Sequence, residues 1–189
     1  MKKKIIVLLI LCISGGMSKV MANQPPVSVE KSIWGIQAAG LGLWAFNESK
    51  LFKKVSLRSE IGYTYRWRGQ GGWYFGQSDL LLLNQFSLEP RLYYNLEDQH
   101  KKMENTNGNS ANFFAIKMIY SPGAWSRSYD EYARTFDEYS VIVSWGMRKV
   151  FPSNAFIEVK IGAGEIINNP RKYKYPIAFE NRIRIGYNF

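Results

Sequence analysis

The last thirteen residues of the chain, 177–189, alternate between two kinds of side chain. One set is apolar and consists of Ile177, Phe179, Ile183, Ile185, Tyr187 and Phe189. The intervening set is small or polar and includes Glu180, Arg182 and Arg184. A period of two belongs to a β-strand whose two faces meet different surroundings. Charges opposite a face suited to lipid predict a strand of a transmembrane β-barrel, with the charges in its lumen.

The N-terminus predicts export. Residues 2–4 are lysines, residues 5–13 are apolar, and Val20 and Ala22 occupy the small-residue positions of a signal-peptidase site. This pattern predicts a cleaved signal peptide over residues 1–22. An apolar run of nine residues is too short to span a bilayer as a helix. The alternative is an N-terminal anchor that is retained.

Removal of residues 1–22 changes the bulk composition. The full chain has 25 Lys and Arg against 15 Asp and Glu, and four of the lysines lie in the signal. The remaining 167 residues, 23–189, therefore carry 21 cations against 15 carboxylates and contain no cysteine. This length predicts one domain, and the absence of cysteine excludes a disulfide framework. For an exported chain, we expect the positive charge to meet anionic lipid and lipopolysaccharide rather than nucleic acid.

Alternation and β-branched or aromatic content predict seven strands. They cover about 33–46, 55–67, 79–95, 111–120, 139–148, 155–161 and 177–189. No apolar run approaches the twenty residues that a membrane-spanning helix needs. Barrels of this kind have an even number of strands, so an eighth strand is expected within 27–42, or else the N-terminal segment passes through the lumen. The predicted fold class is all-β, an antiparallel transmembrane β-barrel of eight strands.

The connections predict which way the barrel faces. Segments 46–54 and 149–154 are read as short turns, and the glycine- or proline-containing segments 68–77, 121–137 and 164–176 as long loops. Bacterial barrels place short turns in the periplasm and long loops outside. The polar linker 96–109 is predicted to be a solvated, mobile turn, with a docking site for a periplasmic partner as the alternative.

Two stretches carry a resemblance to a known family. Leu88–Leu96 (LEPRLYYNL) and Asn109–Lys117 (NSANFFAIK) resemble a family of small bacterial outer-membrane β-barrel proteins whose members are mostly uncharacterised. The resemblance implies an outer-membrane location and a barrel fold, and it implies no activity. The C-terminal Tyr187 and Phe189 resemble the signal that the barrel-assembly machinery reads during insertion.

Charged residues on the inward faces of the predicted strands form a candidate lumenal network. Its members are Arg58, Glu60, Arg66, Glu89, Arg91, Lys117, Arg148, Glu158, Lys160, Glu180, Arg182 and Arg184. The interior of an eight-stranded barrel is just wide enough for side chains to fill. Because unpaired buried ions cost several kcal/mol, on the order of 3–5 for a broken pair, the charges are expected to pair and plug the pore. Eight cations against four carboxylates leave a surplus that favours, as the alternative, an anion site.

Residues for catalysis are sparse. The chain's one histidine, His100, lies in the polar linker, and Ser87, Ser140 and Ser144 have no histidine aligned with them. Glu60 and Glu89 are a conceivable acid–base pair, but the neighbouring arginines would hold both ionised. No His, Cys or Asp cluster has metal-ligand spacing. The sequence predicts no catalytic, cofactor or metal site; a lipid A- or phospholipid-modifying enzyme of the small-barrel type is the alternative.

The aromatic residues favour a membrane protein. The six tryptophans are Trp34, Trp44, Trp67, Trp73, Trp125 and Trp145, and most fall near predicted strand ends. Interfacial aromatic rings anchor barrels in the headgroup region, although the loop 71–75 is also a candidate sugar platform. We therefore expect a structural, surface-exposed or complex-forming outer-membrane barrel in contact with lipid and lipopolysaccharide; membership of a larger outer-membrane complex is one form that this role can take. A soluble periplasmic ligand-binding barrel is the third option.

Overall fold

A computed structural model describes residues 27–68, 79–102, 104–123, 127–128, 136–168 and 176–189. The predicted signal peptide, the loop 71–75, Trp73 and Trp125 lie outside these ranges. The described residues form nine strands, one short helix and one 3-10 turn. The strands are β1 Ser32–Ala39, β2 Gly42–Phe52, β3 Val55–Arg68, β4 Asp79–Tyr93, β5 Asn112–Ser121, β6 Arg127–Ser128, β7 Glu138–Val150, β8 Ala155–Ile166 and β9 Ile177–Asn188. The helix is α1 Leu96–Lys101, and the 3-10 turn is Asn107–Asn109.

Eight of the strands close into a barrel. Each pairs antiparallel with its neighbour in the order β1-β2-β3-β4-β5-β7-β8-β9, and β9 returns to β1 through partners such as Ala38 and Ile185. The two-residue β6 pairs with β4 outside this ring. Closure gives every strand of the ring a hydrogen-bonding partner on both sides. The predicted all-β, eight-stranded antiparallel barrel is confirmed.

The eighth strand lies in the N-terminal stretch where one was expected. The predicted first strand, 33–46, is two strands, because the chain reverses between β1 and β2 at Gly40 and Leu41. Gly40 has a φ of 54°, a left-handed conformation that glycine adopts without steric cost. The glycines are the only turn signal in this apolar stretch. The alternation of the sequence continues across the reversal, so it does not mark where the two strands separate.

The barrel has two unlike ends. At one, the turn end, lie Lys53–Lys54, the linker between β4 and β5, the turn 151–154 and the C-terminal Phe189. At the other, the loop end, lie the tight β1–β2 turn and the connections that leave β3, β5 and β8. The segments predicted as short turns and those predicted as long loops lie at opposite ends, as expected. The exceptions are the long linker at the turn end and the tight β1–β2 turn at the loop end. The predicted turn 46–54 was wrong in extent, because β2 continues to Phe52.

The linker is ordered against the turn end. Leu96 is 1% exposed and packs with Val29, Tyr93 and Phe113, and Asn109, also 1% exposed, accepts a hydrogen bond of 2.8 Å from the backbone N–H of Glu30. The prediction of a solvated, mobile turn was therefore wrong for both ends of the linker, since they close the barrel. Within the described ranges, no helix has the length and apolar character needed to cross a membrane.

The two faces of the barrel wall carry opposite chemistries. On β3, Ser56, Arg58 and Glu60 are buried inside, whereas Ile61 and Tyr63 are 55% and 41% exposed. The same alternation runs through the other long strands. The large exposed apolar side chains of the outer wall include Trp34, Ile36, Leu43, Leu88, Leu92, Phe114, Met118, Val143, Met147, Ile157, Ile161, Phe179, Ile183 and Ile185.

One tryptophan departs from the predicted belt of interfacial rings. Trp44 is 3% exposed and lies inside the barrel, over Gly42 and Gly62. A Cβ at either glycine would collide with the indole ring, so the two glycines make room for it. Trp34 and Trp145 lie on the outer wall, Trp34 near the start of β1 and Trp145 in the middle of β7.

Candidate functional site

Six cations and five carboxylates fill the middle of the barrel, and we call them the interior charge network. Its members are Arg58, Arg91, Lys117, Arg148, Lys160 and Arg184, with Glu48, Glu60, Glu89, Glu158 and Glu180. Every member is at most 5% exposed. They come from β2, β3, β4, β5, β7, β8 and β9, so the network ties together strands far apart in the chain.

Glu158 stands at the centre of the arginines. Its carboxylate accepts two hydrogen bonds from Arg91, of 2.7 and 3.0 Å. It also lies 3.5 Å from Arg184, and 3.7 Å from both Arg58 and Arg148. A forked guanidinium matches a carboxylate with two parallel hydrogen bonds, which fixes orientation as well as charge. Four arginines from four strands thus converge on one carboxylate.

Glu48 organises the part of the network nearest the turn end. Oε1 accepts hydrogen bonds from the Tyr93 hydroxyl at 2.7 Å, Ser56 at 2.8 Å and the Asn109 amide at 2.7 Å. Oε2 faces Arg58 at 3.3 Å and Arg148 at 3.4 Å. The linker, through Asn109, is therefore fastened to the interior of the barrel.

Two lysines serve the carboxylates on the other side. Lys117 donates to Glu60 at 2.6 Å, and Lys160 donates to Glu89 at 2.8 Å and lies 3.0 Å from Glu180. An ammonium group carries three donors and no fixed plane, so a single lysine can serve carboxylates in different directions. Each lysine therefore bridges neighbouring carboxylates, whereas the four arginines converge on a single carboxylate, that of Glu158.

Phenylalanine rings form an apolar floor that lies against the arginines of the network. The Arg58 guanidinium lies 3.6 Å from the centroid of Phe46, that of Arg148 lies 4.0 Å from Phe156, and that of Arg91 lies 4.3 Å from Phe113. A guanidinium over a ring face is attracted by the ring quadrupole, and more strongly where water is excluded. The floor therefore contributes to holding the arginines as well as covering them.

The structure places most of the predicted lumenal residues inside. Ten of the twelve are buried members of the network. Arg182 is half-buried, with its guanidinium 5.5 Å from the Trp44 ring centroid. The backbone of Arg66 belongs to β3, and its side chain lies outside the described part of the structure.

Sequence reasoning missed Glu48 and its polar neighbour Gln37. Glu48 fell in the segment read as a turn, and Gln37 in the strand whose reversal went unnoticed. Gln37 donates to Glu60 at 2.8 Å and accepts from Arg58 at 2.5 Å. The signal for Glu48 was present: Trp44, Phe46 and Glu48 continue a period of two on the inward side.

The charge balance of the network differs from the predicted one. Six cations face five carboxylates, a surplus of one. Glu48 accounts for one charge of the difference from the predicted four, and Arg66 and Arg182, which are not members of the network, account for the other two. Each of the six cations lies within 4.0 Å of at least two carboxylates. The unpaired guanidinium groups that an anion site would use are therefore not found among the described members of the network.

Among the residues considered for catalysis, the serines lie in the barrel wall and the histidine lies on α1. Ser87 is buried and donates to Glu60 at 3.1 Å, and Ser140 and Ser144 are also buried in the wall. His100 is exposed on α1 at the turn end. In the described ranges, no group of three or more His, Cys, Asp or Glu side chains is placed to hold a metal ion. The C-terminal Tyr187 and Phe189 lie on the outer wall, 45% and 75% exposed, with ring centroids 5.9 Å apart.

No protein-family model, curated protein or solved structure matches the chain. The resemblance to small outer-membrane barrels stays a prediction, and the geometry of the barrel carries the proposed function.

Proposed function

We propose that this chain is an integral outer-membrane β-barrel whose interior is a filled, charged core. In this proposal it acts through its surfaces, as a structural, surface-exposed or complex-forming protein. The observation that carries the proposal is the polarity of the wall, whose inner face is charged and whose outer face is apolar. Soluble monomers rarely expose contiguous apolar patches larger than a few hundred Å², on the order of 300–600.

The strand lengths suit this location. A strand crosses a bilayer with about 9–11 tilted residues, and β1 has 8 residues while the other ring strands have 10 to 15. A soluble barrel that carries a lipophilic ligand needs an apolar interior, whereas this interior holds the eleven charged side chains of the network. The soluble ligand-binding alternative therefore has less support.

The orientation follows from the two ends. Long connections of bacterial barrels face outward and short turns face the periplasm. The turn end, with Phe189, α1 and the N-terminal segment from residue 27, is therefore assigned to the periplasm. The exported N-terminus predicted from residues 1–22 supports the same assignment.

The filled interior favours a role without steady transport. Arginines from opposite strands meet at Glu158, and the turn end is covered by an apolar cluster that includes Val29, Tyr93 and Leu96. In planar bilayers we expect no long-lived single-channel currents. Large steady currents would replace this proposal with a pore.

Electrophoresis with and without boiling tests the membrane proposal. Folded barrels keep their shape in cold detergent, so the unboiled protein, inserted into phospholipid vesicles, should migrate differently from the boiled sample. Sedimentation of the vesicles should carry the protein with them after a carbonate wash. A chain that stays in solution without detergent and migrates identically in both states would refute an integral membrane barrel.

A further inference from the structure

A polar cleft of about 260 Å³ opens at the turn end of the barrel, and we call it the turn-end cleft. Its two sides are the start of β1, with Ser32, and the turn 151–154. The linker borders it at Gly108, and the end of β9 borders it at Phe189. The cleft therefore lies where four separate segments of the chain approach one another.

The turn-end cleft is as wide as one strand. On one side of β9, the Phe189 N–H donates to the Trp34 carbonyl at 2.9 Å. On the other side, the Asn188 N–H donates to the Asn154 carbonyl at 3.0 Å. Because neighbouring strands lie about 4.8 Å apart, the two segments that flank β9 stand about 10 Å apart. The cleft continues the line of β9 between these segments, and this width suits one extended chain.

The edge of β1 along the cleft has unpaired backbone groups. Successive residues of a strand direct their N–H and C=O groups to opposite sides. The Lys31 carbonyl accepts from the Lys50 N–H of β2 at 3.1 Å, whereas the Trp34 carbonyl faces β9. Ser32 therefore directs its N–H and carbonyl to the β9 side, where neither has a partner among the described residues. An open strand edge of this kind is a template for pairing with another extended chain.

Side-chain amides add hydrogen-bonding groups to the cleft. Four asparagines line it, Asn105, Asn107, Asn154 and Asn188. The Asn188 Oδ1 accepts from Arg148 at 2.7 Å, and the Asn188 amide nitrogen has no partner in the described part of the chain. An amide presents a carbonyl acceptor together with N–H donors. These are the groups that a peptide backbone both offers and needs.

Glu30 gives the cleft a negative charge. One of its carboxylate oxygens accepts a hydrogen bond from the Gly108 N–H, and no cation of the described ranges pairs with the carboxylate. The exposed rings of Phe151 and Phe189 also border the cleft. The cleft therefore matches an extended segment with a basic side chain near Glu30 and an apolar side chain beside the rings.

We propose that the turn-end cleft binds a short extended segment of a partner protein, which pairs with the β1 edge at Ser32 in line with β9. In this mode of recognition, main-chain hydrogen bonds give affinity and the side-chain contacts give specificity. The cleft itself does not depend on the membrane location. The assignment of the partner to the periplasm rests on the proposed orientation of the barrel.

A peptide titration followed by NMR tests the pairing. The probe is acetyl-Lys-Val-Lys-amide, added to isotope-labelled protein in detergent micelles, and its control carries N-methylvaline at the centre. The methyl group replaces the hydrogen that would bond to the Ser32 carbonyl, and it leaves the charges unchanged. We expect the probe to shift the amide resonances of Ser32, Gly108 and Asn154 and to slow hydrogen exchange at Ser32. The control should bind about tenfold more weakly.

Two substitutions at Ser32 separate its backbone from its side chain. Ser32→Pro removes the N–H that faces the cleft, and proline is tolerated at the first residue of a strand, the position that Ser32 has in β1. Ser32→Ala keeps this N–H and removes only the hydroxyl, which accepts from the Asn47 amide at 3.0 Å. We expect Ser32→Pro to weaken probe binding about tenfold and Ser32→Ala to stay within about twofold of wild type. The N-methyl control uses the wild-type protein, so it decides the question even if Ser32→Pro fails to fold.

Charge variants test the role of Glu30. Glu30→Gln keeps an oxygen that can accept from the Gly108 N–H but removes the negative charge, so the affinity for the probe should fall by up to about fivefold. Glu104→Gln is the control, because Glu104 is an exposed carboxylate of the linker that does not line the cleft. Equal losses for both variants would overturn the basic specificity of the cleft.

The outcomes separate this inference from the membrane proposal. Absent shifts, equal affinity for the probe and its N-methyl control, or shifts centred on the outer wall overturn the peptide site. Shifts at Ser32 that grow with protein concentration, without the probe, would assign the cleft to a second copy of the chain and would also overturn it. Vesicle insertion is measured separately, and insertion without probe binding overturns only the peptide site. Probe binding by a chain that stays in solution without detergent overturns only the membrane location.

Discussion

Tyr93 and Tyr94 are consecutive residues of one polypeptide and lie in different environments. Tyr93 is fully buried inside the barrel, where its hydroxyl donates to Glu48 at 2.7 Å. Tyr94 is 41% exposed on the outer wall, and its hydroxyl accepts from the Trp145 indole at 3.0 Å. Inside, each charged group depends on several partners from distant strands. Outside, neighbouring side chains share a surface, and any one can be replaced by another apolar residue.

The inner face of this barrel is the more tightly specified of its two faces. The side chains of the outer wall need only be apolar, a requirement that many sequences satisfy. The side chains of the inner face require a particular pairing of cations with carboxylates, because a slip of one residue in strand register would turn the charges outward. The interior charge network is therefore expected to fix the register of the strands, and substitutions in the two regions should differ sharply in cost.

The largest effect is expected at the centre of the network. Glu158→Gln keeps the size of the side chain but leaves four arginines without their shared carboxylate. Removal of one partner from a buried ionic cluster costs about 3–5 kcal/mol. Unfolding of the vesicle-inserted protein in urea, followed by tryptophan fluorescence, measures the change. Glu165→Gln, exposed on the same strand, is the control, with an expected effect within about 0.5 kcal/mol. Equal losses for both would mean that the network contributes no specific stability.

The outer wall has its own sensitive position. Val143 is 59% exposed near the middle of β7, and Val143→Arg should cost about 2–4 kcal/mol at the bilayer midplane. Tyr187→Arg, near the turn end of β9, should cost only about 0–1 kcal/mol, because charges close to the interface reach water. Folding yields in vesicles compare the two. Equal tolerance at both depths would argue against a membrane around this wall.

Much of this division was predictable from the sequence. A period of two identified the long strands, and it separated Arg58 from Ile61 and Glu158 from Ile157 without structural information. Alternation reports the face of a residue reliably because successive side chains in a strand must point in opposite directions.

The features that the sequence did not predict are ones on which the alternation of side chains carries no information. The β1–β2 reversal occurs at Gly40 within an apolar stretch, so two strands were read as one and Glu48 as a turn residue. The burial of Leu96 and Asn109 depends on tertiary contacts with Val29 and Glu48. Which cation meets which carboxylate depends on the stagger of the strands around the closed barrel, a property of the whole ring rather than of any segment.

The paired tyrosines offer a test with nearly identical chemistry on the two faces. Tyr93→Phe removes a hydrogen bond to a buried carboxylate, which should cost about 1.5–3 kcal/mol. Tyr94→Phe removes an exposed hydrogen bond between two neutral groups and should cost at most about 0.5–1.5 kcal/mol. Urea unfolding of both variants under one set of conditions gives the difference. If Tyr94→Phe proves the more costly, the interior is not the more tightly specified face.

The smallest effect is expected where a similar ionic cluster meets water. At the turn end, Glu97 receives Lys53 at 2.8 Å and Lys54 at 3.0 Å. Hydrogen bonds from Lys53, and then from Lys54, lower the pKa of Glu97 from 4.5 to about 2. Because the folded-state pKa is the lower one, the stabilisation is present above pH 4.5 and is lost as the pH falls toward 2. The carboxylate is partly exposed, so solvent screening limits the contribution to about 0–1 kcal/mol.

Glu97→Gln should therefore lower the free energy of unfolding slightly at pH 7 and not at all near pH 2. The ratio between this loss and that of Glu158→Gln measures how much burial adds to the strength of a carboxylate–cation interaction. If the effect of Glu97→Gln does not depend on pH, the loss comes from the packing of α1 rather than from charge.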